Sequence, residues 1–257
     1  MKTAIIGGLA VIFITACGQT EQAPSLPNLL DTPVIILEKN GPEIFQTWEF
    51  RDQAYWGNAS TGNAPFLEDY RLALSDTLGA ETLAAEVERR SRQDIPFPTE
   101  TDSLDGDQLN AAYVQSGQLG EVRPINLLEA QLLNYQASRF PLFDKPTEFH
   151  AFILAGNKPK RLRVYYAASD TPWPPKATPL MEHIRQDLAN GWLLQHHLHN
   201  HYNEEKDKYV GTLAPSLADA HYYKMLRDEY GVVSTLITNG FHTVEIQKED
   251  FDFFQSH

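Results

Sequence analysis

Cysteine is nearly absent from this chain. Cys17 is the only one in 257 residues, which excludes any disulfide within the chain. A basic block is also missing. Lys and Arg number 21 against 34 Asp and Glu, a formal net charge of −13, and the sequence pI is about 5.1. Phosphate recognition needs clustered Lys and Arg, so nucleic acid and anionic lipid are disfavoured as main partners. The acidic residues are dispersed and read as a solvated surface. No internal repeat is present. No apolar run reaches the roughly 20 residues of a membrane-spanning helix. The chain is 42% hydrophobic, enough for a substantial core.

The longest apolar run opens the chain, in MKTAIIGGLAVIFITAC. Lys2 gives a positive start and Ala4 to Ile14 an apolar stretch, the pattern of a secretory signal. Its end, Ile14-Thr15-Ala16-Cys17, resembles the bacterial lipobox, in which the Cys is lipidated after cleavage. Residues 1–17 therefore read as a lipoprotein signal peptide, and 18–31, polar and Pro-containing, as a linker. Gly18 follows the Cys. If the organism is Gram-negative, that implies a lipid anchor in the outer membrane, facing the periplasm.

Residues 32–119 read as an N-terminal extension to which the sequence assigns no chemistry. Val34–Leu37 suits a short strand, and Leu67 to Arg92 a helix with Gly79 inside it. From 120 to 257 the pattern sharpens. Ile125–Phe140 has helical spacing, Thr147–Leu154 reads as a buried strand and Arg161–Ser169 as an alternating one. A Pro-rich turn leads to a helix, Leu180 to Asn190, and Trp192 to His201 forms a further strand. Ser216 caps a helix to about Tyr230, and Val233–Ile246 reads as a hairpin with Asn239-Gly240 as a type I′ turn. This order predicts an α/β domain with a mixed sheet flanked by helices.

Four of the nine histidines fall between His196 and His201. On a strand, alternate residues share a face, which groups His197, His199 and His201 and turns His196 away. Two imidazoles two apart can converge on one ion, and catalytic zinc uses three protein ligands with a fourth position open. Asp219 can supply the third. Ser216 and Asp219 also suit a helix N-cap with an acid in the first turn, a purely structural explanation. Glu148 lies in an apolar strand run, where burial is costly without a partner; the alternative is a strand that starts one residue later. His150 shares Glu148's face on a regular strand; it reads as a core histidine, the alternative being a place in the same cleft. His183, His221 and His242 read as packing or surface residues, and Glu129 as a solvated helix residue.

The run His199-Asn200-His201-Tyr202, followed by Ala214-Pro215-Ser216-Leu217-Ala218-Asp219, resembles the JAMM (JAB/MPN-type) zinc metalloprotease motif, closest in wording to its RadC-like bacterial branch. Tyr202 departs from that branch's Pro, and the loop to Asp219 is longer. The resemblance covers about half of the chain. It implies a JAB/MPN (cytidine-deaminase-like) fold with His199, His201 and Asp219 as Zn2+ ligands. Glu148 becomes the general base activating a zinc-bound water, and Ser216 a donor to the oxyanion. The longer loop leaves a second histidine register open, with His197 and His199 as ligands. The implied activity is hydrolysis of peptide or isopeptide bonds in a peptide or protein substrate. Two alternatives stand beside it: a non-catalytic MPN-like binding module, and a zinc-binding envelope lipoprotein. The branch's association with DNA repair conflicts with the charge and the lipobox.

Overall fold

The computed structural model describes Leu29 and residues 32–50, 67–140, 146–157, 160–202 and 210–256. Cys17, the signal segment and most of the linker lie outside these residues, as does 203–209 of the loop between His201 and Asp219.

One sheet organises the described chain. Its strands are β1 (Ile35–Asn40), β2 (Glu43–Phe50), β3 (Glu121–Pro124), β4 (Phe149–Asn157), β5 (Lys160–Ala168), β6 (Leu193–Asn200), β7 (Ser234–Thr238) and β8 (His242–Gln247). They lie in the order β1-β2-β5-β4-β6-β7-β8-β3. Only β6 and β7 pair in parallel; the other neighbours are antiparallel, so the sheet is mixed. β1 and β2 come from the stretch read as an N-terminal extension, yet β2 pairs with β5 along Ile44–Phe50 and continues the same sheet.

The helices are α1 (Glu68–Leu78), α2 (Ala80–Ser91), α3 (Gly106–Gln115), α4 (Leu127–Arg139), α5 (Thr178–Ala189) and α6 (Leu217–Tyr230), followed by a 3-10 turn, Lys248–Phe253. The sheet alternates side chains cleanly between two apolar layers. Phe149, Ala151 and Ile153 point to one layer with Leu198, Leu236 and α4 residues Leu128 and Leu132. Phe152, Tyr165, Ile237 and Val244 point to the other, which α5 and α6 cover with Leu180, Ile184, Tyr223 and Leu226. A fully buried side chain of this size contributes about 1.5–3 kcal/mol, so these layers carry most of the stability.

Three sequence expectations need correction. The helix read over Leu67 to Arg92 is two helices, because Gly79 sits at φ 80° between them. There it caps one helix and starts the next, a backbone state that favours glycine. The β7–β8 turn is not type I′. That turn needs positive φ at both central residues, and here Gly240 has φ 86°, while among the described residues no non-glycine, Asn239 included, has a positive φ. Asn239 instead turns the chain with its side chain, Oδ1 accepting from the backbone N–H of Phe241 (3.1 Å) and His242 (3.0 Å).

Glu129 is the third correction: it is buried at 0% exposure rather than solvated. Arg123 reaches both its oxygens, at 2.6 and 3.1 Å. The Asn126 backbone donates at 2.9 Å, the Asn126 side chain at 2.9 Å and Thr243 Oγ1 at 2.8 Å. Burying a lone carboxylate is expensive, and this one is neutralised by a bidentate guanidinium and has its lone pairs filled. The network ties β3, α4 and β8 together on the sheet face opposite His197 and His199, the face that His196 shares.

Candidate metal centre

The parallel pair β6–β7 is joined by α6, so the carboxyl end of β6 faces the N-terminus of α6. Crevices at this position in open α/β sheets commonly receive ligands. His199 lies near the end of β6 and His201 just beyond it. The His201 N–H donates to Thr238 O at 2.9 Å, so the chain keeps its register on β7 after the strand ends. Ser216 caps α6, and Asp219 lies one turn in.

These elements bring three donors together. His199 Nε2 and His201 Nε2 are 2.9 Å apart. Asp219 Oδ1 is 3.5 Å from His199 Nε2, and Oδ2 is 3.4 Å from His201 Nε2. Among the described residues this trio is the one group of three or more His, Cys, Asp or Glu placed to hold a metal ion. His197 is not in it. His197 sits further back along β6, its Nε2 2.9 Å from His150 Nδ1.

The donor set suits a metal ion. Two imidazole nitrogens at 2.9 Å cannot both present lone pairs to each other; a proton or a cation must lie between them. His201 Nδ1 is 3.0 Å from Thr212 O, an acceptor. In the neutral ring this fixes the proton on Nδ1 and leaves the Nε2 lone pair turned inward, the usual outer support of a metal-bound histidine. Burial alone pulls the His201 pKa down. The hydrogen bond and charge of Asp219, with the charge of Glu148, outweigh it and raise the pKa above the ordinary value. For Asp219 the opposite balance holds. Burial pushes its pKa up, but His199 and His201 hold it well below the usual carboxylate range. Burial, reinforced by the His199 charge, pushes His150 down to about 3, so it is neutral at ordinary pH.

Ser216 is the cap that the sequence suggests. Its Oγ accepts from the Asp219 N–H at 3.2 Å, and its own N–H donates to Asp219 Oδ2 at 2.9 Å. Its hydroxyl also donates to Oδ2, at 2.7 Å. The residue proposed as an oxyanion donor therefore points its proton at the candidate ligand carboxylate.

Glu148 stands one residue before β4, so the alternative strand boundary is the observed one. It lines the same cleft as His199, His201 and Asp219, a cavity of about 540 Å³. Two features that the sequence reading missed hold it there. Its N–H donates to Pro172 O at 3.1 Å, from the Pro-rich turn. On either side of it, Asn200 takes the Phe149 N–H on Oδ1 (3.0 Å) and donates Nδ2 to Thr147 O (3.0 Å). The signal was an Asn in a strand between two histidines: strands disfavour Asn, and at 2% exposure it must be paired.

Gly211 packs against the backbone of His201. A Cβ there would lie 2.3 Å from the His201 carbonyl oxygen and 2.8 Å from the Tyr202 nitrogen, both backbone atoms. A side chain at 211 would therefore displace His201 itself.

No family model, no curated protein and no solved structure matches this chain. The functional reading rests on the geometry above and on the motif residues.

Proposed function

We propose that the protein is a zinc-dependent hydrolase of peptide or isopeptide bonds with a JAB/MPN-type catalytic domain. The observation that carries this reading is the convergence of His199 Nε2, His201 Nε2 and Asp219 at the floor of a cleft that Glu148 also lines. Two histidines and a carboxylate with an open side match the donor set of catalytic zinc sites. Bound zinc supplies a Lewis acid and brings the pKa of coordinated water from 15.7 to about 7.

The protein's own groups complete the chemistry. Glu148 accepts the proton of the attacking water and returns it to the leaving nitrogen as the C–N bond breaks. The Ser216 hydroxyl orients the Asp219 carboxylate; to serve a developing oxyanion it must leave that bond, while the two backbone N–H bonds keep the cap closed. His150 and His197 are neutral and hydrogen-bonded to each other; His197 is buried, whereas His150, read from the sequence as a core residue, lines the cleft.

The purified full chain is expected to hold one zinc, and a chelator should abolish cleavage of a peptide library until zinc is restored. Several weakly held ions per chain, without cleavage, would favour the zinc-binding lipoprotein; one tight ion without cleavage would favour the binding module.

The location is a proposal of the sequence alone: a lipid anchor on Cys17, placing the protein on the bacterial envelope near envelope peptides. Among the described residues no helix is long and apolar enough to cross a membrane. Cys17→Ser is expected to move the protein from the membrane to the soluble fraction and to change its mature mass. An unchanged distribution and mass would remove the anchor.

A further inference from the structure

Beside the three donors the cleft has an apolar lining. It is built from Trp173, Pro174 and Pro175 of the Pro-rich turn and from Met181, Tyr222 and Met225 of helices α5 and α6. Trp173 is 67% exposed, more than any other large apolar side chain among the described residues. An exposed tryptophan at the mouth of a cleft has a ready use, because Trp is among the commonest anchors of binding energy.

The turn that carries Trp173 is fastened. Thr171 Oγ1 donates to Trp173 O at 3.0 Å and Ser169 Oγ to the same oxygen at 3.3 Å. Pro172 O receives the Glu148 N–H at 3.1 Å. Pro172, Pro174 and Pro175 each fix their own φ, so little backbone freedom remains to be lost on binding. The helical part of the lining is softer. Met side chains adapt to irregular apolar shapes, and Met181 and Met225 come from two different helices, α5 and α6. The cleft thus combines a rigid aromatic edge and adaptable methionines with the polar donors and Lys176. A ligand that fits has a polar backbone near the donors and one large apolar side chain beside them.

We propose that this lining is a subsite for a large apolar residue of a peptide, and that Trp173 sets the preference. The inference deepens the peptidase reading and rests on it only for the position of that residue, next to the scissile bond.

The test uses binding rather than turnover. The full chain carrying Glu148→Gln, to stop cleavage, is titrated with end-blocked pentapeptides Gly-Gly-X-Gly-Gly in which X is Phe, Leu, Lys or Glu. The Phe and Leu peptides should bind on the order of tenfold tighter than the Lys and Glu peptides. Adding Trp173→Ala should abolish that difference while zinc content stays the same; Trp173 is exposed, so its loss leaves the core intact. Equal affinities, no binding of any peptide, or a preference that survives Trp173→Ala would each overturn the subsite. The two readings fail separately. A chain that binds Phe peptides through Trp173 but cleaves nothing keeps the subsite and loses the peptidase. A chain that cleaves the library with no preference at X does the reverse.

Discussion

Glu148→Gln is expected to lower peptide hydrolysis by roughly 10²–10⁴-fold, the usual contribution of a positioned general base. The amide matches the carboxylate in size and still hydrogen-bonds, but it cannot take a proton. The fold should not respond. The backbone of Glu148 is held by Pro172 O and, through its neighbours, by Asn200, and none of these bonds uses its side chain. Zinc should stay bound, since the three donors that converge are His199, His201 and Asp219. The assay pairs turnover of a cleaved library peptide with metal analysis of the same sample. Full activity would place the base elsewhere. Lost metal would make Glu148 a ligand.

Asp219 yields a second large effect, because its carboxylate serves two structures at once. Oδ2 closes the capping box of α6, and both oxygens face the histidines. Asp219→Ala should therefore empty the zinc site and also weaken the helix start, by about 1 kcal/mol. Asp219→Asn separates the two. Its amide oxygen can still accept from the Ser216 N–H, so the thermal midpoint should stay close to the parent's. Its lost charge should still cost most of the bound zinc. Metal analysis beside thermal denaturation reads both. Full zinc in either variant would remove Asp219 from the site. The same analysis decides the register. His201→Ala should lose zinc and His197→Ala should keep it, because His197 Nε2 is turned to His150. The reverse result would make His197 the ligand.

The mixed α/β class, the order of elements from the helix Leu127–Arg139 onward and the cap at Ser216 were legible in the sequence; the helix Gly106–Gln115 and the short strand Glu121–Pro124 were not. What was legible is set locally, by apolar period, turn residues and capping side chains. Phe149, Ala151 and Ile153 alternate strictly with His150 and Phe152, so strand and face follow from the spacing. What escaped depends on partners distant in sequence. Nothing within Glu43–Phe50 says that it pairs with Lys160–Ala168, so a stretch read as an extension turned out to be part of the sheet. Glu129 looked like a solvated helix residue because its neutralising partners, Arg123 and Thr243, meet only when β3 lies against β8. Asn239-Gly240 carries a type I′ composition, but Asn239 spends its side chain on the turn and keeps a negative φ. In the site, His199, His201 and Asp219 followed from spacing and motif. Asn200, Thr212 and the Trp173 turn did not: Asn200 spends its side chain on backbone atoms of Thr147 and Phe149, some fifty residues away, and Thr212 acts through its carbonyl, which no side-chain pattern marks.

The bond from Ser216 to Asp219, and that between His201 and Thr212, also bear on entropy. A side chain that must be ordered when its ligand arrives gives up rotamer freedom, about 0.5–1.5 kcal/mol each time. Here the cap holds the Asp219 carboxylate, and a backbone carbonyl orients the His201 ring, through bonds made by the fold itself. That freedom is surrendered during folding, once, and not again at each encounter with an ion. If the site takes a metal ion, its affinity then depends less on ordering the donors than on the shedding of water by the incoming cation.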